Sequence, residues 1–422
     1  MLHAGGGHKT TAFGRGVGLM PDMSADPSHR GREILSDDDL DLAPGTDRPF
    51  LFDPPVGLTP LVVSFPHVGL EWPREFFRPR PQVNFGRNAD YEVHTLYNTA
   101  QRLGAARVRA RYSRLLVDLN RAHDDVSPTL VPDHPAPRPR QRLFTRGSKR
   151  SRRKNSVRRA SAVALPNRGV VWDTAVGNIP ILVPPLPYEE LEHRISRYYD
   201  PYYRAVDLLL QRRRRQFGYA ILLEAHSMPS SVKGDLILGT LEGGSCSSQV
   251  QADALTALRG GASGLDVRLN DPYRGGELVR RFGRPEEGLH ALQLEVSRGL
   301  YMDEHSLKLW PHSRAGSASS SHELKSNSGR AASRPDRHER ARLGELLGCI
   351  ETLVQVLATP RSMCQPRTPP RQGHAPRPEH DGARPRTEEL SEPVGSLVSS
   401  ERERINSRPV TRDAKERTRG SE

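Results

Sequence analysis

Two histidines each follow a short apolar run of the kind that forms a buried β-strand. His67 comes after residues 61–66, and His226 comes after residues 219–225. In open α/β sheets, ligands bind in the crevice outside the carboxyl ends of the strands, so we expect both imidazoles in one crevice. Imidazole is the commonest metal ligand in proteins, and the pair therefore predicts a zinc site.

A catalytic zinc site needs a third protein ligand and an open position for water. Four nearby side chains could supply that ligand: Glu71, Asp90, Glu92 and His94. Glu71 follows His67 by four residues and could reach the same ion. The residue pattern alone leaves the choice among these four open.

Hydrolysis at such a site also needs a carboxylate that takes a proton from water and returns it to the leaving nitrogen. The run 289–296 alternates apolar and polar residues, which predicts a strand with Gln293 and Glu295 on one face. A strand residue that faces the crevice is held rigidly. Glu295 is therefore the candidate general base.

An asparagine and an arginine at the end of another apolar run suggest a binding site for a substrate carboxylate. Residues 114–119 predict a strand, and Asn120 and Arg121 come directly after it. A guanidinium matches a carboxylate with two parallel hydrogen bonds, and an amide adds a donor beside it. Arg114, seven residues before Arg121, is a further candidate for binding the substrate.

The remaining elements place these residues on a layered fold. Helices are predicted over residues 91–103, from Tyr188 onward with a kink at Pro201, over 249–258 and over 343–357, and further strands over 235–239 and 265–269. Strands that alternate with helices indicate a mostly parallel sheet covered by helices on both faces.

The composition limits how much of the chain forms this domain. Of 422 residues, 35% are hydrophobic, and there are 36 prolines and 36 glycines, which predicts one domain with disordered segments. The expected division is a disordered leader over 1–48, a domain over 49–358 and a disordered tail over 359–422. Two insertions within the domain, about 124–166 and 311–337, are also expected to be disordered.

The net charge of +13 is concentrated in one segment of the chain. Residues 138–159 contain eleven Lys or Arg residues and no acidic residue, so the rest of the chain is nearly neutral. A basic run of this kind could bind nucleic acid weakly. The alternative function is thus a nucleic-acid-binding or regulatory protein that uses residues 138–159 on a catalytically weakened scaffold.

Cysteine usage and hydropathy indicate the compartment. The three cysteines, Cys246, Cys349 and Cys364, have no CxxC spacing and cannot build a disulfide framework, which favours a reducing, cytoplasmic location. No apolar stretch approaches the roughly 20 residues needed to span a bilayer, so no membrane partner is expected.

The chain resembles the N-formylglutamate amidohydrolase family over roughly residues 55–358 with the two insertions removed. The resemblance rests on ordered motifs, among them Pro66-His67-Val68-Gly69, Asp118-Leu119-Asn120-Arg121, Pro201-Tyr202-Tyr203, His226-Ser227-Met228, Asn270-Asp271-Pro272-Tyr273-Arg274-Gly275-Gly276 and Gln293-Leu294-Glu295-Val296-Ser297-Arg298. So many motifs in the same order are specific to the family, although not to the substrate.

This resemblance implies a three-layer α/β/α fold with a mostly parallel mixed sheet, like that of zinc carboxypeptidases. It implies Zn²⁺ as the cofactor and His67, Asp90 and His226 as its ligands. The implied activity is hydrolysis of N-formyl-L-glutamate, or of a related N-acyl amino acid, to formate and the free amino acid, with a role in histidine catabolism.

The resemblance also implies roles for the other site residues. Asn120 and Arg121 are expected to bind the substrate carboxylate, and Glu295 is expected to act as the base. The chain departs from the family pattern at three positions, where Val68, His94 and Glu224 stand in place of a small polar residue, an aspartate and an aspartate. The last two positions could alter how the metal ligands are oriented.

Overall fold

A mixed β-sheet is the centre of the computed structural model, which describes residues 33–138, 168–311 and 337–361, apart from positions 44, 75, 262 and 263. These residues all belong to one unit of the chain, Met1–Pro366. The strands in the described residues are β1 (Phe50–Asp53), β2 (Leu61–Phe65), β3 (Ala106–Ala110), β4 (Thr174–Ala175), β5 (Ile179–Pro180), β6 (Ala220–Met228), β7 (Leu236–Gly239), β8 (Val267–Leu269), β9 (Leu289–Ser297), β10 (Met302–Asp303) and β11 (Lys308–Leu309).

The central sheet has the strand order β1-β3-β2-β6-β9-β7-β8. The strands from β3 to β9 in this order run parallel, as do β7 and β8, whereas β1 pairs antiparallel with β3 and β7 pairs antiparallel with β9. The predicted mostly parallel mixed sheet is confirmed. The carboxyl ends of β2, β6 and β9 therefore lie side by side at one edge.

Helices cover both faces of this sheet. The α-helices in the described residues are α1 (Asp37–Leu40), α2 (Phe85–Asn88), α3 (Tyr188–Arg194), α4 (Asp200–Phe217), α5 (Ser248–Gly261), α6 (Glu277–Phe282) and α7 (Arg337–Ala358). Successive strand residues point to opposite faces, so Val63 and Leu223 pack in the cluster with α5 and α7, while Val62 and Leu222 pack in the cluster with α4. The three-layer α/β/α fold is confirmed.

The long helix predicted from Tyr188 is interrupted one turn before the expected kink. A π-helical turn, Ile195–Tyr199, joins α3 to α4, and the Asp200 N–H donates to the Ile195 carbonyl. Pro201 occupies the first turn of α4. Proline has no N–H for the carbonyl four residues back, and the wider turn accommodates this missing bond.

The strand predicted over residues 114–119 is wrong. This segment is a buried loop, in which the Leu116 N–H donates to Ser113 and the Asp118 N–H donates to Val170. The strand of this region is instead β3, which alternates alanine and valine with Arg107 and Arg109. The apolar run predicts burial correctly. The backbone groups of residues 114–119, however, form hydrogen bonds in turns rather than with a neighbouring strand.

The α-helix predicted over residues 91–103 is also wrong. The segment forms a short 3-10 helix, Val93–Tyr97, followed by turns. The guanidinium of Arg107 lies 3.4 Å from the Tyr97 carbonyl and 3.3 Å from the His94 carbonyl. A side chain thus satisfies carbonyls that a continuing α-helix would have paired with its next turn.

The predicted leader boundary at residue 48 is wrong for the part that the structure describes. Residues 33–48 pack on the domain, where Leu35 and Leu40 are buried and Ser36 caps α1. The carboxylate of Glu33 accepts two hydrogen bonds from Arg213, whose side chain is fully buried. Residues 1–32 lie outside the described residues.

The described start of the first predicted insertion, residues 124–138, is partly packed on the domain. Val126, Leu130 and Val131 are buried there, whereas most of residues 132–138 are exposed. The remainder of the predicted insertion, and the second one apart from its end positions 311 and 337, lie outside the described residues. So does the predicted tail beyond residue 361. Among the helices that the structure describes, none is long and apolar enough to cross a membrane.

Replacing Leu35 with alanine tests whether residues 33–48 belong to the domain. We expect Leu35→Ala to lower the free energy of unfolding by about 2–5 kcal/mol, because it empties a buried apolar site. Its neighbour Ile34 is 70% exposed, so Ile34→Ala serves as the control and should change stability by less than about 0.5 kcal/mol. Urea denaturation measures both. If Leu35→Ala changes the free energy of unfolding as little as Ile34→Ala does, residues 33–48 do not unfold together with the domain.

Candidate active site

The sheet brings the two predicted histidines together. His67 lies two residues beyond the end of β2, and His226 lies inside β6, which continues to Met228 rather than ending before the histidine as predicted. Both are 3% exposed. Their ring centroids are 4.8 Å apart, because β2 and β6 are parallel neighbours and His67, just beyond β2, lies beside the last part of β6.

Asp90 lies between the two imidazoles. Its backbone N–H donates to the His67 carbonyl at 2.9 Å, which holds the loop after α2 against the end of β2. Its Oδ2 lies 2.7 Å from Nδ1 of His226 and 3.4 Å from Nδ1 of His67. Ligand atoms of these three residues lie within 4.8 Å of one another, and they form a candidate metal-binding cluster.

A second carboxylate holds the far side of each imidazole. Nε2 of His67 is 2.7 Å from Oδ1 of Asp118, and Nε2 of His226 is 2.6 Å from Oε1 of Glu224. Carboxylates in these positions accept the Nε2 proton and fix the ring, which directs Nδ1 toward Asp90. Both histidines therefore present the same nitrogen to the centre of the cluster.

Asp118 is fully buried and accepts hydrogen bonds from several segments. Besides His67, it receives the Asn120 backbone N–H at 2.9 Å, the Trp172 indole N–H at 3.1 Å and Nη2 of Arg114 at 2.7 Å. The guanidinium of Arg114 also stacks on the Trp172 ring at 4.6 Å. The sequence analysis assigned no role to Asp118, although an aspartate within an apolar run is itself a signal of a buried polar contact.

The electrostatics follow from these contacts. Burial alone would raise the pKa of Asp90 and Asp118. The hydrogen bond to His226 and the nearby His67 outweigh burial for Asp90, and Arg114 and His67 do so for Asp118, so both pKa values lie well below the ordinary range. Burial would lower the pKa of His226, but Glu224 and Asp90 outweigh it and raise that pKa well above its usual value.

The pKa of Glu295 is raised, unlike those of Asp90 and Asp118. Burial raises its pKa to about 7, and the charges of His226 and Arg114 only partly offset the effects of burial and of Asp90 and Glu224. It lies on β9 directly opposite His226 in the register, and it accepts a hydrogen bond from Gln293 at 2.9 Å. The predicted shared face of Gln293 and Glu295 is thus observed.

The cluster fits a bound cation. Nδ1 of His67 is buried and has no hydrogen-bond partner. Four buried carboxylates surround the two imidazoles, and the guanidiniums of Arg114 and Arg298 that contact them leave the carboxylates in excess. Buried charges are normally paired or coordinate a metal. Two imidazoles and a carboxylate are also a donor set that a divalent metal ion accepts.

A cavity of about 390 Å³ opens onto this cluster. It is lined by the two histidines, by one of the four candidates for the third ligand, and by the residues proposed for substrate binding and catalysis: His67, His226, Asp90, Arg114, Asn120, Arg121 and Glu295. They come from β6, β9 and three loops, so the cavity exists only in the folded chain.

The predicted substrate-binding residues differ in how they are held. The side chain of Asn120 accepts the Leu278 N–H at 3.2 Å, and its Nδ2 lies 3.2 Å from Nε2 of His226. A Cβ at position 276 would lie 2.2 Å from that amide, so only glycine fits there. The backbone carbonyl of Arg121 accepts the Tyr199 hydroxyl at 2.9 Å, which fixes the residue at the cavity wall.

The other candidates for the third ligand lie elsewhere. Glu71 is half-exposed and pairs with Arg111 at 2.8 Å. Glu92 and His94 are 3.8 Å apart, and neither belongs to the cluster found in the described part of the chain. Of the four alternatives, the structure brings Asp90 alone to the two histidines.

Arg298 is a site residue to which the sequence analysis gave no role. It lines the cavity, contacts Asp90 and donates to Ser227, the residue after His226. The only sequence signal was its place in the motif that contains Glu295.

Comparison with known proteins agrees with this architecture. The family model for N-formylglutamate amidohydrolase matches residues 59–302. The N-formylglutamate deformylase of Pseudomonas aeruginosa is 30% identical over 266 residues, which cover 59% of this chain and 84% of that protein. The N-formylglutamate deformylase of Pseudomonas putida is 30% identical over 264 residues with the same coverage.

The crystal structure of an N-formylglutamate amidohydrolase from Ralstonia eutropha JMP134 has the same fold. Its TM-score is 0.55 at 24% identity, and the match covers 74% of this chain and 99% of that one. The sheet, the cavity and the cluster define an α/β protein with a buried candidate metal site at the carboxyl edge of its sheet. The chain belongs to the N-formylglutamate amidohydrolase family.

The raised pKa of Glu295 predicts a pH-dependent cost in stability. Between its ordinary value of 4.5 and its folded value of about 7, the folded protein keeps a proton that the unfolded chain has released, so the free energy of unfolding falls as pH rises. In protein stripped of metal ions, Glu295→Gln removes this cost. Its stability advantage over wild type should grow from pH 5 to pH 8, up to about 3 kcal/mol.

Urea denaturation at both pH values measures this difference. Glu71→Gln is the control, because the Glu71 side chain is 52% exposed and should show little change at either pH. An advantage of Glu295→Gln that is the same at pH 5 and pH 8 would contradict the raised pKa.

Proposed function

We propose that this protein is a zinc-dependent amidohydrolase that cleaves the amide of N-formyl-L-glutamate, or of a related N-acyl amino acid. The products are formate, or the corresponding acid, and the free amino acid. Family membership and the names of the two Pseudomonas relatives support this activity. The observation that carries the proposal is the His67–Asp90–His226 cluster beside a buried carboxylate in one cavity.

The metal would be held by His67, Asp90 and His226. Two imidazoles and a carboxylate form a known ligand set of catalytic zinc sites. When bound, zinc supplies Lewis acidity to the scissile carbonyl and to the attacking water. Asp118 and Glu224 keep the imidazoles oriented and in the required tautomer through their Nε2 protons.

Glu295 would move the proton. A general base works best when its pKa is near the working pH, and burial places that of Glu295 at about 7. It accepts a proton from water as the water oxygen attacks the acyl carbon, and it then delivers this proton to the departing amide nitrogen. The hydrogen bond from Gln293 fixes the orientation of the carboxylate during both transfers.

The arginines of the cavity would select an anionic substrate. Arg121 and Asn120 bind a substrate carboxylate, and Arg114, which is held by Asp118, places a second guanidinium at the cavity wall. The volume of about 390 Å³ is in the range of sites for small molecules. An N-acyl amino acid therefore matches the cavity in both size and charge.

The described cysteines agree with the proposed cytoplasmic location. Cys246 and Cys349 are both buried and free, as is usual for proteins of reducing compartments. A role in histidine catabolism stays a prediction.

The alternative, nucleic-acid binding through residues 138–159, gains no support. Arg138 is the only basic residue of this segment that lies in the described part of the chain, and it pairs with Asp124 at 2.6 Å. The folded cavity instead has the features of a small-molecule site.

The metal content of the purified protein tests the ligand assignment. Elemental analysis should find about one zinc ion per chain in wild type and a strong loss in His67→Ala and in His226→Ala, because each removes one of three ligands. His305→Ala is the control, since this histidine is exposed, and it should retain the metal. Full zinc occupancy in both variants would contradict the assignment of His67 and His226 as ligands.

The proposed roles of Glu295 and Arg121 predict losses in different kinetic constants. Glu295→Gln keeps the size and polarity of the side chain but cannot accept a proton, so kcat should fall by roughly 100-fold or more while zinc stays bound. Arg121→Ala should mainly raise KM, by roughly 10-fold to 100-fold, because it removes a charge-assisted hydrogen bond to the substrate.

Steady-state assays of formate release measure both constants. The penalty of Arg121→Ala should shrink for an N-formyl amino acid amide, which lacks the α-carboxylate. Arg280→Ala, at an exposed side chain paired with Glu277, is the control. A Glu295→Gln protein with near wild-type kcat would exclude Glu295 as the base. If Arg121→Ala raises KM equally for the substrate with an α-carboxylate and for the one in which it is an amide, Arg121 does not bind that carboxylate.

A further inference from the structure

We propose that Arg298 is a positioning residue that sets the orientation of Asp90 and its distance from His226. This inference rests on the proposed function, because Asp90 and His226 are proposed there as metal ligands. It adds a residue that makes no contact with the reacting atoms in this role and acts through the ligands alone.

Arg298 joins the two segments that carry these ligands. It begins the 3-10 helix Arg298–Leu300 directly after β9, and its side chain is 13% exposed. Its Nη2 donates to the Ala89 carbonyl at 2.7 Å and lies 3.5 Å from Oδ1 of Asp90. Its Nε donates to the Ser227 hydroxyl at 3.1 Å. One guanidinium therefore connects the loop before Asp90 to the residue after His226.

The two oxygens of Asp90 have different contacts. Oδ1 lies beside Arg298 and accepts a hydrogen bond from the Ser227 hydroxyl at 3.3 Å. Oδ2 is the oxygen that lies near Nδ1 of both histidines. The terminal torsion of an aspartate is broad, so a carboxylate without a partner on its outer oxygen is free to rotate. Arg298 and Ser227 remove this freedom.

Lysine could not replace this arrangement. The guanidinium is a planar fork that reaches a hydroxyl and a carbonyl at fixed angles, whereas an ammonium is a point charge on a flexible stem. Arg298→Lys therefore keeps the positive charge beside Asp90 and loses the geometry. Comparing wild type with Arg298→Lys therefore separates the effect of the guanidinium geometry from that of the positive charge.

A competing explanation is that Arg298 binds the substrate, since it lines the cavity. The two roles differ in what they affect before any substrate is added. A substrate-binding arginine changes KM and leaves metal affinity unchanged. A positioning arginine changes metal affinity in the absence of substrate.

The test measures zinc affinity of the full chain by competition with a chelator, for wild type, Arg298→Lys and Arg274→Lys. Arg274 is a matched control, because it lines the same cavity and pairs with Glu242 but has no contact with Asp90 or Ser227 in the described structure. We expect Arg298→Lys to bind zinc roughly 10–100-fold more weakly, as is typical when a residue that orients metal ligands is lost. Arg274→Lys should bind zinc like wild type.

Two further measurements separate positioning from a loss of folding. The visible spectrum of the cobalt(II)-substituted protein reports the ligand geometry, and it should change in Arg298→Lys but not in Arg274→Lys. Ser227→Ala is a smaller change that leaves Arg298 in place and removes its acceptor. It should weaken zinc binding by about 2–10-fold, with an effect that is not additive with that of Arg298→Lys.

The outcomes for this inference and for the proposed function are distinct. Wild-type zinc affinity and an unchanged cobalt spectrum in Arg298→Lys, with wild type itself binding zinc, would overturn the inference alone. A rise in KM without a change in metal affinity would also overturn it in favour of substrate binding. Failure of wild type to bind zinc would overturn both. If Arg298→Lys does not fold, wild-type affinity in Ser227→Ala would overturn the inference.

Discussion

The burial of four carboxylates around two imidazoles is the constraint on which the rest of the site depends. Charges taken out of water destabilise a fold unless they gain partners, so the segments around the site must supply hydrogen-bond donors. Asp118 takes donors from Arg114 and Trp172, and Asp90 takes donors from His226 and Ser227. The parallel arrangement of β2, β6 and β9 makes this possible, because it gathers their carboxyl ends at one edge.

The sequence predicted the fold wherever hydrophobic periodicity decides the structure. The strands β2, β6 and β9 are buried on both faces. The first two are largely continuous apolar runs, as is usual for buried parallel strands, whereas β9 alternates apolar and polar residues. The strand predicted over residues 114–119 was wrong because an apolar run indicates burial but does not show which groups its backbone hydrogen-bonds to. In β3, Arg107 and Arg109 hid the strand, because their pairing with Asp53 on the neighbouring strand is a long-range contact.

The candidate site was predictable in its residue types and less so in its connections. Strand ends located His67 and His226, and the alternating pattern located Glu295. The choice of Asp90 over Glu71 came from family resemblance and agrees with the geometry, since Glu71 pairs with Arg111 at the surface. Local patterns could not show that Arg298 reaches Ala89, because 209 positions separate the two residues in the chain.

The many donors gathered on Asp118 constrain how this protein can change over evolutionary time. The longer acid glutamate, or a neutral residue, at this position would alter the contacts with His67, Arg114 and Trp172 together. No single compensating substitution can restore three contacts from separate segments, so we expect these positions to be retained together among relatives. Trp172 extends the same constraint to the described segment that begins at Arg168.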